Sequence, residues 1–254
     1  MTFERLNNLQ GKVATIVGGC GQIGSATARR LAQQGARVVA IVHRDLPRAE
    51  RMIKNLPNPE LDHFAVMASV TDTASLKLAA NTIKNRAGRC DILVNTAGTL
   101  TPIDPKDLHA LTDDIFDQMI ITNLRGVYAT IREFSDLLRN SGDGLIINVS
   151  SQSAQRASNS CVAYAASKAG VDLMTRTLAK SLAPTIRVLG ISPGYLENAT
   201  SGVTRLQDND ILAAQSPLQR LGTADDIANT IEVCATTIRF ATGTVFLIDG
   251  GRLL

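Results

Sequence analysis

The chain has 254 residues, of which 44% are hydrophobic, and its formal net charge is +3 at pH 7. This length and apolar content suffice for a sizeable core, and the small, scattered positive charge argues against a nucleic-acid-binding surface. The apolar runs are too short for a membrane span, and the N-terminal stretch Met-Thr-Phe-Glu-Arg-Leu lacks the apolar core of a secretory signal.

The cysteines are few and far apart. Cys20, Cys90, Cys161 and Cys234 form no Cys-x-x-Cys pair, and few histidines lie near them. This pattern predicts reduced thiols in a cytoplasmic protein and indicates neither a zinc site nor a disulfide framework.

Strands and helices alternate along the whole chain. Continuous apolar, β-branched runs predict strands over residues 13–17, 38–42, 64–67, 92–94, 145–149, 186–191 and 245–248. Helices are predicted over residues 25–34, 46–56, 72–86 (with Thr71 as a possible N-cap), 112–139, 163–182 and 224–234. Such alternation, with strands apolar on both faces, predicts a single α/β domain over residues 1–254: a doubly wound, Rossmann-type parallel sheet of about seven strands with helices on both faces.

Residues 195–220 form the least regular part of the sequence, which is polar and interrupted by Gly202 and Pro217. In an open α/β sheet this segment would follow the carboxyl end of a strand, where ligands bind. We therefore expect residues 195–220, the lid segment, to cover a substrate.

A glycine loop follows the first strand. Gly19, Gly21 and Gly24 fit the pattern G-x-G-x-x-G between a predicted strand and a predicted helix. Glycines permit the tight turn and let backbone amides approach a pyrophosphate, whose charge a helix N-terminus favours. The pattern predicts a dinucleotide site, and the alternative is a structural glycine turn.

The second strand ends in Val42-His43-Arg44-Asp45, where the adenosine ribose of a dinucleotide would lie. A basic residue there suits a 2′-phosphate and an acidic one a 2′-hydroxyl. Arg44 therefore favours NADP(H), whereas Asp45 leaves NAD(H) possible.

Ser151, Tyr164 and Lys168 form the candidate catalytic set. On a helix, Tyr164 and Lys168 are one turn apart on the same face. A phenol has an ordinary pKa of about 10, and a neighbouring ammonium lowers it and eases proton exchange with a substrate oxygen. A serine hydroxyl from the preceding strand can hold that oxygen. The alternative is a tyrosine–lysine pair on a solvated helix surface.

With these residues the chain resembles the short-chain dehydrogenase/reductase (SDR) family, and within it the 3-oxoacyl-carrier-protein reductases. Further matches stand in the family's order: Asn95-Thr96-Ala97-Gly98, Asn123, Tyr164-Ala-Ala-Ser-Lys168, Pro193-Gly194 and Asp249-Gly250-Gly251. The resemblance implies an NAD(P)(H)-dependent oxidoreductase that acts on a carbonyl or secondary alcohol, without a metal. It also implies a homotetramer in which helices 112–139 and 163–182 pair between subunits, with Leu253 and Leu254 at another contact.

The resemblance also assigns roles to residues. Tyr164 would be the general acid/base, Ser151 would bind the substrate oxygen, Lys168 would bind the nicotinamide ribose and lower the pKa of Tyr164, and Asn123 would hold a water in a proton relay. The implied cofactor contacts are Gly18, Gly21, Gln22, Ile23, Gly24, His43, Arg44, Ser69, Val70, Asn95, Ala97, Gly98, Tyr164, Lys168, Pro193, Gly194 and Leu196.

Several residues depart from the family pattern, all in the cofactor part. They are Val17 for a threonine, Gln22 for a glycine, Ser69 for an aspartate, Leu189 for an asparagine and Asn198 for a threonine. The first four departures motivate a second hypothesis, a catalytically silent dinucleotide-binding regulatory protein on the same scaffold. Arg156 could meet an anionic substrate, although an exposed arginine is more often simply solvated.

Overall fold

The computed structural model describes residues 8–156, 161–198 and 209–254. Seven parallel strands form one sheet in the order β3-β2-β1-β4-β5-β6-β7. The strands are β1 (Val13–Val17), β2 (Arg37–Val42), β3 (Phe64–Met67), β4 (Ile92–Asn95), β5 (Gly144–Val149), β6 (Ile186–Pro193) and β7 (Val245–Ile248). The predicted α/β class and the doubly wound parallel sheet are confirmed.

Helices cover both faces of the sheet. They are α1 (Gln22–Gln33), α2 (Leu46–Lys54), α3 (Thr73–Ala87), α4 (Asp113–Ile120), α5 (Gly126–Asn140), α6 (Val162–Leu182), α7 (Asn209–Ala214) and α8 (Ala224–Thr236). Apolar residues of α3, α5 and α6 fill one core, and those of α1, α2 and α8 fill a second core on the opposite face. Because successive strand residues point to opposite faces, β1 contributes Val13 and Val17 to the first core and Ala14 and Ile16 to the second.

The first helix begins earlier than predicted, at Gln22 instead of residue 25. Gly21 is its N-cap in an extended conformation, so the helix starts directly at the end of the glycine loop. The spacing of apolar residues predicts a helix start at residue 25, where the periodic pattern begins. In the structure the backbone of the glycine loop sets the start of the helix.

The N-cap of α3 is Asp72 and not Thr71. The Asp72 carboxylate accepts a hydrogen bond of 2.9 Å from the backbone N–H of Ala74. The Thr71 hydroxyl instead shares a hydrogen bond of 2.8 Å with the hydroxyl of Ser69. Both residue types can cap helices, and the local chain direction selects the aspartate.

The predicted helix 112–139 is present but interrupted. A π-helical stretch, Ile121–Arg125, separates α4 from α5, and Asn123 lies within it, fully buried. Such π turns redirect a side chain from the surface of a helix, often at functional sites.

Part of the lid segment lies outside the described residues, including Gly202. Its first residues pair with the chain that follows it: Leu196 forms a parallel bridge with Gly222, and the N–H of Glu197 donates to the Gly222 carbonyl at 2.9 Å. The segment also contains α7, which the sequence pattern did not predict.

Candidate active site

The candidate site lies at the carboxyl ends of β1, β4, β5 and β6, which are neighbours in the sheet. The strand order reverses between β1 and β4, and ligands of open α/β sheets bind in the crevice outside such a switch point. The glycine loop follows β1 and Ser151 follows β5, while Asn95 is the last residue of β4 and the Pro193-Gly194 turn begins at the last residue of β6.

Three glycines of the loop, Gly18, Gly19 and Gly24, leave no room for a Cβ. Gly18 has φ +81°, and a Cβ on Gly24 would lie 2.3 Å from the Gly18 carbonyl oxygen. A Cβ on Gly19 would lie 2.7 Å from Ala40 on β2. No side chain caps the start of α1, so its first backbone N–H groups are available to an anion. These residues fit the pyrophosphate of a dinucleotide.

Gln22, which departs from the family's glycine, joins the loop to the lid segment. Its side-chain amide donates a 2.5 Å hydrogen bond to the Glu197 carbonyl. The neighbouring Leu196 is fixed by its bridge to Gly222. The start of the lid segment is therefore tied both to the loop and to the chain before α8.

The end of β2, where the sequence predicts the adenosine of a dinucleotide, contains charged side chains with different contacts. Asp45, at φ 56°, accepts a hydrogen bond of 3.0 Å from the backbone N–H of Arg48 and so caps α2. The Arg48 guanidinium donates to the Cys20 carbonyl in the glycine loop at 3.3 Å. His43 and Arg44 are exposed at the end of β2. The Ser69 hydroxyl accepts from the Thr71 N–H, and Val70 packs against Gly126 of α5.

The end of β4 is held by a chain of buried amides. The Asn95 amide donates to the Asn148 side-chain oxygen at 2.9 Å, and the Asn148 amide donates to the Thr175 hydroxyl at 3.0 Å. The Asn95 side-chain oxygen is buried without a hydrogen-bond partner in the described chain. Beyond β4, the backbone of Ala97 lies directly against Gly18.

Asn123 and Lys168 meet beside Gly98. A Cβ on Gly98 would lie 3.2 Å from the Asn123 side-chain oxygen and 3.6 Å from the Lys168 Nζ. Asn123 accepts from the Thr99 N–H at 2.8 Å, and its amide donates to the Thr99 carbonyl at 2.9 Å. Lys168 donates from Nζ to the Val149 carbonyl at 2.9 Å and is only 5% exposed.

Tyr164 lies one turn before Lys168 on α6, with the Lys168 Nζ 5.8 Å from the centre of its ring. The Ser151 side chain lies near enough to the phenol to lower its pKa by hydrogen bonding. The ring packs against a small apolar cluster that includes Leu100, Ile103 and Met119. The structure thus brings Ser151, Tyr164, Lys168 and Asn123 to one end of the cleft, as the sequence predicts.

The pKa of Tyr164 differs from the expectation. Burial raises the pKa of the phenol above its ordinary value, and the hydrogen bond from Ser151 partly offsets the rise. The predicted lowering of this pKa by Lys168 is not seen in the protein alone. Instead, burial lowers the pKa of Lys168 itself to about 8, and the carboxylate of Asp172 opposes that change.

The Pro193-Gly194 turn, which the family resemblance places beside the nicotinamide, lies at the end of β6. The Gly194 N–H donates to the Ile248 carbonyl at 2.9 Å, and a Cβ on Gly194 would meet the Asp249 backbone at 2.8 Å. Leu189, another departure from the family, is fully buried in the core on the α8 face. It therefore contributes packing at the position where the family pattern predicts an asparagine.

Sequence reasoning missed the polar residues behind the cleft, namely Asn148, Asp172 and Thr175. All three are at most 4% exposed. Asp172 could have been found from its position, because it falls among the sheet-facing residues of the predicted helix 163–182. Charged side chains are seldom buried there without a role.

Arg156 is exposed, as expected for a solvated arginine, and its guanidinium donates to the Arg252 carbonyl at 3.4 Å. No cluster of three potential metal ligands occurs within the residues that the structure describes. None of the helices in these same residues has the length and apolar character needed to cross a membrane.

The comparisons with known proteins agree with this geometry. Residues 20–252 match the family model described as Enoyl-(Acyl carrier protein) reductase. The 3-oxoacyl-acyl-carrier-protein reductase FabG of Thermotoga maritima is 32% identical over 250 residues, 97% of this chain and 99% of the relative. Acetoacetyl-CoA reductase of Cupriavidus necator is 31% identical over 245 residues, 94% of this chain and 97% of the relative.

A solved structure is similar over nearly the whole chain. Gluconate 5-dehydrogenase of Burkholderia cenocepacia J2315, in complex with NADP and tartrate, superimposes with a TM-score of 0.89 at 26% identity and covers 98% of both chains. Fold, site and relatives together define an NAD(P)-dependent oxidoreductase. More narrowly, the chain belongs to the short-chain dehydrogenase/reductase family, in which it is similar to the FabG-type reductases.

Proposed function

We propose that the protein is an NADP(H)-dependent reductase of carbonyl compounds, or the corresponding alcohol dehydrogenase, with Tyr164 as the general acid/base. The observation that carries this proposal is the grouping of Ser151, Tyr164, Lys168 and Asn123 beside a glycine loop that fits a pyrophosphate. A protein that only senses a dinucleotide has no chemical need for all four.

The residues have distinct tasks in the proposed reaction. The nicotinamide supplies the hydride when the cofactor is bound. Ser151 holds the substrate oxygen, and the Tyr164 hydroxyl donates a proton to that oxygen as the carbonyl is reduced. In the reverse direction the tyrosine oxygen accepts the proton.

Lys168 and Asn123 support this proton transfer. The Lys168 ammonium, next to Tyr164, favours the phenolate left after donation. The contacts of Asn123 with Thr99 fix its side chain beside Gly98 and close to that ammonium. Asn123 is therefore well positioned to hold a water that returns a proton from solvent.

NADP(H) is the proposed cofactor. The Asp45 side chain caps α2, which competes with binding a ribose hydroxyl, whereas Arg44 is exposed at the strand end. The exposed guanidinium is suited to pair with a 2′-phosphate. NAD(H) remains the alternative cofactor, tested below by comparing affinities.

The proposed substrates are small carbonyl compounds, with 3-oxoacyl thioesters first among them. The names of the FabG and acetoacetyl-CoA relatives support this class. Leu100 and Ile103, which like Tyr164 are partly buried against the cluster around Met119, offer an apolar surface for an acyl chain. The widely spaced cysteines, all free thiols, support a cytoplasmic location.

Transfer of deuterium tests this function directly. We expect incubation with NADPH deuterated at C4 and a panel of 3-oxoacyl thioesters, ketones and sugars to give an alcohol labelled at the carbinol carbon, detected by mass spectrometry. Tight NADPH binding with no labelled product from any substrate would favour the silent regulatory alternative. Absence of dinucleotide binding would contradict both.

A further inference from the structure

The turn after β7, Asp249-Gly250-Gly251, has no part in the proposed mechanism. The Asp249 carboxylate accepts hydrogen bonds from the N–H groups of Gly251 and Leu253, each at 2.9 Å, so the turn is held by its own side chain. Gly250 and Gly251 have φ of +68° and +84°, a conformation that favours glycine. The turn therefore keeps the residue that follows it, Arg252, in a fixed place.

The second half of the lid segment packs on this turn. The Ser216 hydroxyl donates to the Gly250 carbonyl at 2.8 Å, and the Leu218 N–H donates to the same carbonyl at 3.2 Å. A Cβ on Gly250 would lie 2.3 Å from the Ser216 hydroxyl oxygen, and a Cβ on Gly251 would lie 3.0 Å from Pro217. The close approach of the lid segment therefore requires both glycines.

Arg252 contacts both described ends of the lid segment. Its guanidinium lies over the Tyr195 ring, with the Cζ atom 4.3 Å from the ring centre. The same guanidinium donates to the Leu212 carbonyl in α7 at 3.4 Å and to the Gln215 side-chain oxygen. One side chain therefore joins α7 to the start of the segment, which directly follows the Pro193-Gly194 turn.

The contacts of Arg252 suit an arginine and no other cation. The partners of its guanidinium are a ring, a backbone carbonyl and a side-chain amide, which are all neutral. A planar guanidinium can stack on a ring and donate from its edge at the same time, whereas an ammonium cannot. The Arg252 carbonyl also accepts from Arg156, which lies in the chain after Ser151. Arg252 is thus a meeting point of the lid segment and the loop that follows β5.

We propose that Arg252 is a positioning residue of the active site, which joins the two described ends of the lid segment and holds Tyr195 beside the Pro193-Gly194 turn. It acts through the lid segment and takes no part in hydride or proton transfer. The proposal rests on the proposed function for its effect on a substrate, but the lid contacts can be measured without any substrate.

The expected effect on kinetics follows from preorganisation. While Arg252 holds both ends of the lid segment, their contacts exist before a substrate arrives. Without the guanidinium, part of the binding free energy of the substrate is used to restore these contacts. The loss falls on substrate binding and not on the chemical step, so KM rises while kcat is kept.

Hydrogen exchange of the full-length protein, followed by mass spectrometry, tests the contacts directly. The amides of Glu197 and Leu218 report on the two ends of the segment, because their N–H groups donate to the carbonyls of Gly222 and Gly250. In Arg252→Ala we expect both amides to exchange about tenfold faster, which is the order expected for a lost cation–π contact together with lost hydrogen bonds. Peptides from β4 should exchange as in the native protein.

Arg86→Ala is the matched control. The Arg86 guanidinium also stacks on a ring, 4.1 Å from the centre of Phe64, beside β3 at the opposite edge of the sheet from β7. This variant should leave both lid amides unchanged, whereas Tyr195→Leu, which removes the stacked ring, should reproduce the faster exchange of the Glu197 amide. Native exchange of both lid amides in Arg252→Ala, or equally faster exchange in β4, would overturn the proposal.

Turnover provides the second readout. We expect the KM of Arg252→Ala for a 3-oxoacyl thioester to rise about tenfold, with kcat changed less than about twofold. A lower kcat with a native KM would indicate a loss of folded protein and contradict the positioning role. Faster exchange of the lid amides in a protein that reduces no substrate would uphold the lid contacts of Arg252 and refute the proposed function alone.

Discussion

At the end of β2, two adjacent charged residues have different tasks. The sequence could not decide between Arg44 and Asp45, because either charge can meet the adenosine ribose. The structure shows that Asp45 caps α2, a local contact that depends on its left-handed backbone and is invisible in the residue pattern. Sequence reasoning also missed Arg48, whose guanidinium reaches the glycine loop from α2.

Replacing Arg44 should separate the two cofactors. We expect Arg44→Ala to raise the Kd for NADPH about tenfold or more, because a charge-assisted phosphate contact contributes roughly 1.5–3 kcal/mol. The Kd for NADH should change little. Both dissociation constants are measurable by fluorescence titration, and Arg51→Ala, which removes an exposed arginine of α2, is the control.

Equal weakening of NADPH and NADH binding would mean that Arg44 supports the fold of the site, not the phosphate. Weakening of NADH alone would favour NAD(H) as the cofactor.

The helices show where sequence patterns stop being informative. The alternation of apolar runs predicted each strand to within a few residues, since the period and continuity of the pattern follow from burial. The π turn around Asn123 was not predicted, because one extra residue in a helical turn leaves the apolar spacing almost unchanged. The cap of α3 and the start of α1 were misplaced for the related reason that backbone geometry sets helix ends.

The exposed faces of two helices support an oligomer. Tyr128 of α5 is 47% exposed and Leu173 of α6 is 62% exposed. We propose that these helices pair between copies in a homotetramer, since large exposed apolar side chains on a helix face mark contact surfaces.

Light scattering during size-exclusion chromatography checks this proposal. The native protein should elute as four chains of 27.1 kDa each, and Leu173→Glu should give a smaller species because the buried charge would be unpaired. Leu78→Glu, at a position 68% exposed on α3, should remain a tetramer. A native monomer, or dissociation by both substitutions, would contradict the assignment of these helices to the interface.

The whole molecule follows from a sheet whose strand order reverses at β1 and β4. This reversal brings a loop from residue 18 and side chains from residues 123 to 168 to one cleft, although they are far apart in the chain. Sequence reasoning found these residues because they stand in short motifs with fixed spacing. It could not find Asp172 or the hydrogen-bonded chain Asn95–Asn148–Thr175. Single polar residues inside apolar segments belong to no motif, and their contacts depend on residues that only the fold brings close.

The central claim is that Tyr164 donates the proton. It is tested most directly by comparing kcat for NADPH-dependent ketone reduction between the Tyr164→Phe and Tyr128→Phe variants. Tyr128 lies on the face of α5 proposed to pair between copies, outside the candidate active site, and its loss of a hydroxyl is the matched control. Loss of a positioned proton donor should lower kcat of Tyr164→Phe by about 10²–10⁴-fold, while NADPH still binds and Tyr128→Phe stays near the native rate. If both variants turn over at the native rate, Tyr164 is not the proton donor, and the account of this site is wrong.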